Sequence, residues 1–423
     1  MQNSDSESII SKAKNIPFLF YLIKWLFFSA LIGILAGSAS AFFLVALDFL
    51  TNWRENHLWI ISFLPIAGLA IGLAYHYSGS DVVKGNNLVL EEFHHPNKLI
   101  PLKMAPLVLL STLATHLFGG SAGREGTAVQ MGAAISDQFS KLFSLNENDR
   151  KILLIIGISA GFAAVFGTPL AGAVFALEVL ILKKFKTDAI FPSLIAAFIA
   201  DFTCLAWNVS HSNYSIPLVP EMGIINLSWA AFVGIIFGMV ACFFSKSMQT
   251  WSNLFKKWVK YAPFRPMIGG IVIALAVFFI ADTKYIGLGI PTIQSAFSNN
   301  LEPYDFILKI LFTSFTIGAG FKGGEVTPLF FIGATLGNAL VWFVPLPLAL
   351  LAGMGFVAVF AGASNTPIAC TLMGIELFGV ESAVFIGIAC LLSYFFSGHK
   401  GIYSSQNQSR LKKAFYKKLG LEK

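Results

Sequence analysis

Two stretches nearly repeat one another in this chain. "TPLAGAVFALE" runs from Thr168 to Glu178, and "TPIACTLMGIE" runs from Thr366 to Glu376. Both read T-P-x-A, with a glutamate ten residues after the threonine, and they lie 198 residues apart. A second pair precedes them in the same order. "GREGTAVQMGAA" is answered by "GGEVTPLFFIGAT", which sets Thr127 against Thr327 at an offset of 200. Two ordered motifs at nearly one offset mark an internal duplication. The fold must therefore be built twice from one plan.

The material of each copy is apolar. Of 423 residues, 56% are hydrophobic and 12% are charged, where a soluble protein carries roughly 25% charged residues. About twelve or more segments are long enough to span a bilayer, and lipid admits only helices or closed barrels. The expectation is an all-α polytopic membrane protein. Apolar segments fall near 17–50, 58–77, 101–118, 127–143, 151–166, 169–184 and 189–207. After a polar connection they resume near 225–248, 264–281, 304–319, 327–344, 347–362, 367–379 and 381–397. The organisation is thus a cytoplasmic N-terminus (1–16), a first repeat (17–207), a connection (208–224), a second repeat (225–403) and a basic tail (404–423). About seven segments per half, an odd number, makes the two repeats inverted in the membrane. Several are short and begin or end at Gly or Pro, the sign of a binding site made from broken helices.

The net charge of +7 sits at the edges. Lys12, Lys14 and Lys24 open the chain, and Arg410, Lys412, Lys413, Lys417, Lys418 and Lys423 close it. Basic flanks stay cytoplasmic, so this charge reads as topology rather than nucleic-acid binding, with both termini inside a plasma (inner) membrane. No cleavable signal peptide is expected, because the first apolar stretch is too long for one. Cys204, Cys242, Cys370 and Cys390 lie in apolar runs without CxxC spacing and read as small packing residues.

Charge inside the apolar chain demands a reason. Arg124 and Glu125 stand together in "GGSAGREGTAVQMG". Each duplicated motif places small residues and a threonine just before an apolar helix. A helix start exposes unpaired N–H groups and partial positive charge, and aimed into the bilayer it is a site for an anion. Four such starts, two per half, are expected to converge near the midplane. A carboxylate at Glu125 can occupy that site itself and leave when protonated. Adjacent residues on a helix do not face each other, so Arg124 and Glu125 make a poor fixed salt bridge.

These motifs resemble those of the CLC family of chloride channels and proton-coupled anion antiporters. "GREGT" resembles the family's GREGP, whose glutamate is the external gate, a role carried to Glu125. "GFKGGEVTP" looks like the GxFxP region, whose backbone amides hold the central anion, here those of Val326 and Thr327. "HKGIYSS" resembles the terminal segment whose tyrosine touches that anion, carried to Tyr403. The resemblance implies a CLC-type fold of two inverted-topology repeats around a central anion site. It also implies a homodimer with one pathway per subunit.

The departures narrow the reading. Where the family's GSGIP offers a serine, "KGNNLVLEEF" has Asn86, with no proline at Val89. Thr127 replaces the proline of GREGP. The internal proton-transfer glutamate of chloride antiporters falls at Val179. A second acid, Glu325, stands inside the anion-binding loop. This set is similar to the fluoride-exporting CLC-F branch. The resemblance implies fluoride/proton antiport, with Glu125 and Glu325 in gating and proton transfer. Anion binding falls to Asn86, Arg124, Gly126, Val326, Thr327 and Tyr403. Chloride/proton exchange or a passive chloride channel is the alternative. Fluoride is small and strongly hydrated, so the amide donor of Asn86 can replace lost hydration. No HExxH, GxSxG or paired intramembrane Asp motif points to an enzyme, and no metal or cofactor is expected. Equivalent placement of Glu178 and Glu376 reads as a structural role at helix ends. His94 and His95 read as an interfacial loop, His116 as a packing hydrogen-bonder, and Asp201 and Asp282 as interfacial. The role of Lys322 stays open.

Overall fold

The computed structural model describes residues 3–180, 187–406 and 410–418, with side chains described from residue 19 onward. Eight helices precede the connection: α1 (Asn3–Asn56), α2 (Leu64–Tyr77), α3 (Asn86–His94), α4 (Met104–Leu117), α5 (Glu125–Leu142), α6 (Glu147–Phe166), α7 (Pro169–Leu180) and α8 (Thr187–Ala206). Eight answer them: α9 (Ile224–Trp258), α10 (Phe264–Ile280), α11 (Ile290–Ser295), α12 (Asp305–Ala319), α13 (Val326–Leu340), α14 (Leu348–Ser364), α15 (Pro367–Phe378) and α16 (Ala383–Phe396). A tail helix, α17 (Arg410–Lys418), follows. The sequence expectation of about seven segments per half thus falls short by one in each. The missing elements are α3 and α11, too short to leave an apolar run. Among the described residues the chain is all-α, as expected.

The two halves run in opposite directions. On α1, Lys24 pairs with Asp149 near one face, while Arg54 lines a cavity at the other together with residues 208–213. Helix α9 starts beside that connection and runs back, so that Gln249 reaches the Gly401 carbonyl near the tail. Four helical segments are long and apolar enough to cross a membrane among the described residues: Leu19–Asn56, Leu58–Tyr77, Thr187–Ala206 and Ile224–Trp258. Most of the others, such as Met104–Leu117, Pro169–Leu180, Val326–Leu340 and Pro367–Phe378, are shorter apolar helices, as expected of broken helices around an internal site.

Glycine decides how closely the inner helices cross. Helices α5 and α6 meet at Gly132 and Gly157, and α13 and α14 meet at Gly333 and Gly355. A side chain at any of the four would collide with the facing glycine's carbonyl oxygen. Close backbone approach through small residues is the ordinary packing device in lipid, where burial of apolar surface supplies no drive. The outer surface is apolar instead: Phe278 and Phe279 on α10 and Ile224 on α9 are almost fully exposed.

The glutamates of the T-P-x-A repeats cap each other's helices. The Glu178 carboxylate, near the end of α7, accepts from Ile368 N at 3.1 Å and Ala369 N at 2.8 Å, the first turn of α15. Glu376, near the end of α15, accepts from Leu170 N at 2.9 Å and Ala171 N at 2.8 Å, the first turn of α7. This corrects the expectation of four converging helix starts. The Thr168 and Thr366 starts already hold each other's glutamate, and of those four starts only the α5 and α13 ones meet at the centre.

The tail and the connection also do more than the sequence reading gave them. Lys412 on α17 is buried and donates to Asn365 Oδ1 at 2.6 Å and Ser397 Oγ at 2.9 Å. The Tyr416 hydroxyl donates to the Phe395 carbonyl and accepts from Gly398 N, both at 2.9 Å. Part of the basic tail is therefore docked on the protein, while Lys423 lies outside the described residues. In the connection, Tyr214 packs its ring against Phe297 and Phe356 at 5.3 and 5.1 Å. The segment folds down into the helices instead of bridging over them.

Candidate functional site

The starts of α5 and α13 are joined by a two-residue antiparallel bridge. Gly123 N donates to Gly324 O at 2.6 Å and Gly324 N donates to Gly123 O at 2.7 Å. The bridge fixes the register of the duplication. Gly123 answers Gly324, and Gly132 answers Gly333, an offset of 201 rather than the 200 of the Thr127–Thr327 alignment. Arg124 and Glu325 are then equivalent: each is the residue flanking its helix at the N-terminal end.

Glu125 is 1% exposed at the seam between the two halves. Its Oε2 accepts from Arg124 N at 3.1 Å and from Thr327 N at 3.1 Å, and its Oε1 takes the Thr327 hydroxyl. A carboxylate thus sits on backbone donors from both helix starts, where unpaired amides and both dipoles favour negative charge. The Arg124 guanidinium adds little direct bonding. Its Nε is 3.7 Å from Glu125 Oε1 and makes no hydrogen bond, as the adjacency of the two residues leads one to expect. Thr127 turns away, with its hydroxyl 2.7 Å from that of Thr112 on α4.

Asn86 reaches the seam from a third helix start. Gly85 before it has φ +58°, a backbone form that glycine adopts without cost, and this turn aims α3 at the centre. A side chain at Gly126 would come within 3.0 Å of Asn86 Nδ2 and 3.7 Å of Glu325 Oε2, so both groups converge over the second residue of α5. Asn86 Oδ1 and Glu325 Oε2 are buried and make no hydrogen bond among the described residues. Val326, the first residue of α13, is buried beneath them. Tyr403 is buried, close enough to both glutamates to feel their charge. Its segment is pinned by Ile402 N to Ala363 O at 2.8 Å. Lys322 donates to the Val83 carbonyl at 3.1 Å and lies 4.1 Å over the Tyr75 ring, tying the Glu325 loop to the loop that carries Asn86.

Other polar residues serve the scaffold. Glu92 accepts from Asn97 N and Lys98 N at 2.9 and 3.0 Å beside the His94–His95 turn. His116 Nε2 lies 3.4 Å from the Gly123 carbonyl, beneath the bridge. Sequence reasoning missed two buried cations. Arg54 donates to the His116 carbonyl at 2.7 Å. Lys309, fully buried, donates to the carbonyls of Tyr285 and Gly287 at 3.1 and 2.9 Å. A lysine within the apolar run "FILKILF" was the available signal.

On the face opposite the tail, a vestibule of about 1090 Å³ is lined by Arg54, Arg124, Asn208, His211, Asp282 and Lys284, among others. Arg124, His211, Ser212 and Ile290 also line a narrow cavity that leads on to Glu125 and Thr327.

Two helix starts meeting under one buried carboxylate, built from an inverted duplication, define an anion-transport protein. The sequence profile of the voltage gated chloride channel family matches residues 67–398, and the chain belongs to that family. It is 50% identical over 401 residues to a "Chloride/fluoride channel protein" of Pseudomonas syringae pv. tomato, covering 93% of this chain and 89% of that protein. The crystal structure of a CLC-type fluoride/proton antiporter superposes with a TM-score of 0.89 at 38% identity, over 92% of this chain and 98% of that one. A slow cyanobacterial Cl⁻/H⁺ antiporter shares the fold, with a TM-score of 0.78 at 19% identity over 93% and 99% of the two chains.

Proposed function

We propose that this protein is a fluoride/proton antiporter that exports fluoride from the cytoplasm in exchange for protons. The observation that carries the reading is the seam: Glu125 takes donors from both helix starts, and a second carboxylate, Glu325, stands beside Asn86 with its Oε2 unpartnered among the described residues. An anion entering this seam competes with the Glu125 carboxylate for the same N–H and O–H donors. Protonation of Glu125 removes its charge and frees them, so anion entry and proton uptake are linked. Fluoride, a compact and strong acceptor, needs short donors in place of water. Thr327 Oγ1, Asn86 Nδ2 and the two backbone amides supply them, with Val326 and Tyr403 bounding the space.

Glu325 takes the proton role that Val179 cannot fill. A carboxylate beside an anion path repels the substrate unless it is protonated. A proton on Oε2 would also turn one of the seam's orphaned acceptors into a donor. The relatives that carry "fluoride" in their descriptions support this reading over the chloride alternative. The basic ends support a plasma-membrane protein with both termini cytoplasmic, which makes the vestibule face external. The pairing of two subunits follows from the family resemblance. Leu170, Phe198, Phe202, Ile368 and Leu391 give α7, α8, α15 and α16 an exposed apolar face for it.

The test is flux from liposomes holding the purified protein, loaded with fluoride or chloride, with and without a proton gradient. Fluoride moved uphill by the gradient, and faster than chloride, supports antiport. Equal fluxes that ignore the gradient refute it in favour of a passive channel.

A further inference from the structure

The route from the vestibule to Glu125 passes one ionisable side chain that the site above does not use. His211, in the inter-repeat connection, lies at the neck where vestibule and inner cavity join. The inner cavity has about 20 Å³ of free volume, and a water needs roughly 10–15 Å³ by this measure. It therefore holds about one water between His211 and Glu125. The imidazole rests on Gly167, where any side chain would meet ring atom Cδ2 at 2.5 Å. The carboxylate of Asp201 on α8 faces it, with Oδ1 3.7 Å from Nε2. That gap is too long for a hydrogen bond. Neither ring nitrogen nor Asp201 Oδ1 finds a hydrogen-bond partner among the described residues, though all three are buried. Tyr214, three residues on, anchors the connection in the aromatic core and so fixes the position of the ring.

We propose that His211, paired with Asp201, relays protons between the vestibule and Glu125. This inference rests on the antiport reading and names the path by which its proton arrives. Arg124 lines the same neck, and its permanent positive charge makes passage of a free hydronium ion unfavourable. A histidine avoids this cost by taking the proton at the vestibule side, with Asp201 balancing the imidazolium. The imidazolium then gives up a proton to the water in the neck, which passes one to the Glu125 carboxylate. The imidazole returns neutral, and Glu125 leaves its donors as a neutral acid. The charged and titratable groups around the ring are Arg124 just before α5, Glu125 on α5, Tyr214 from the connection itself, Asp201 from α8 and, further out, Asp48, Arg54 and Glu55 from α1, with Asp282 and Lys284 from the loop before α11. Glu376 on α15 is close enough to Asp201 to interact with its charge. Helix α11 and the end of α6 bring none to the neck.

The experiment measures proton-coupled fluoride transport in liposomes while the pH on the vestibule side is varied. Wild type, His211→Gln and Asp201→Asn are compared, each first shown to elute as the wild type does in size exclusion. His211→Gln should run about a hundredfold slower than wild type near neutrality and recover in acid, where hydronium is abundant. Asp201→Asn should slow transport less than His211→Gln does, because the ring stays in place and loses only its counter-charge. A His211→Gln protein as fast as wild type near neutrality overturns the relay. So does a slowing that is equal at every pH, which would make the ring a plug and nothing more. A wild-type protein that moves no fluoride on a proton gradient refutes the antiport reading itself, an outcome separate from either of these.

Discussion

Glu125 and Thr327 are 202 residues apart in the chain, yet the glutamate's two carboxylate oxygens accept the backbone N–H and the hydroxyl of that one threonine. The contact joins the start of one repeat to the start of the other. On the proposed function, the carboxylate stands in for the ion that the two helix starts attract.

Glu125→Gln should abolish proton-coupled exchange. The amide is close to the carboxylate in shape but cannot cycle between charged and neutral forms. Fluoride flux and pH change in liposomes are recorded together. Residual uncoupled flux, or none, fits; pumping at the wild-type level would remove Glu125 from the gate.

Glu325→Gln should stop net fluoride transport against a gradient while leaving folding intact, because Oε2 makes no hydrogen bond for the fold to lose. Proton-driven fluoride uptake is read beside size-exclusion behaviour. A well-folded variant that still couples at the wild-type ratio shows that the proton does not use this residue.

Asn86→Ser should lower the fluoride-to-chloride flux ratio. The amide Nδ2 over Gly126 gives way to a shorter hydroxyl that reaches less far into the seam. The measurement is the ratio of initial efflux rates of the two anions. An unchanged ratio would place selectivity at Tyr403 or at the α13 amides.

Glu178→Leu should cost about 3 kcal/mol of stability, as two charge-assisted bonds are lost and two amides are left bare at the start of α15. Glu376→Leu should cost less, since Glu376 itself is less buried than Glu178. Thermal unfolding in detergent orders the two variants. A Glu178→Leu protein as stable as wild type would contradict the capping role.

Docking of α17 should depend on pH through Lys412. Burial lowers its pKa to about 7, while an unfolded lysine titrates near 10.4. Between those values the docked tail binds fewer protons than the undocked one. Docking therefore strengthens as pH rises above 7, by about 1.4 kcal/mol per unit, and stays at its weakest below 7. Amide exchange of residues 410–418, corrected for the intrinsic rate, should show rising protection from pH 7 to 9. Lys412→Met should flatten the slope, and an identical slope in that variant would exclude the lysine as its source.

Much of the fold was legible in the sequence because duplication and apolar runs are local, countable features. Glu125 and Glu325 stood out for the same reason, as acids in apolar surroundings. Partnership was not legible. Thr168 and Thr366 looked like anion sites because nothing in the spacing says that Glu376 and Glu178 cross over to fill them. Helices α3 and α11 were lost because nine and six residues cannot build a hydropathy peak. Lys309 and Arg54 find carbonyl oxygens of distant loops, and such acceptors have no side-chain signature. His211 sat in a stretch that read as polar linker, and only the inward turn at Tyr214 brings it to the cavity that Glu125 also lines.

The bridge between Gly123 and Gly324 places Arg124 and Glu325 on equivalent sites of the duplication. An exact duplication would be a palindrome across the membrane, with both entrances chemically identical and no way to tell one side from the other. Arginine at one of these sites and glutamate at the other break that equality with opposite charges. On the proposed function, this exchange gives the seam itself a front and a back, in the same sense as the vestibule on one face and the docked tail on the other.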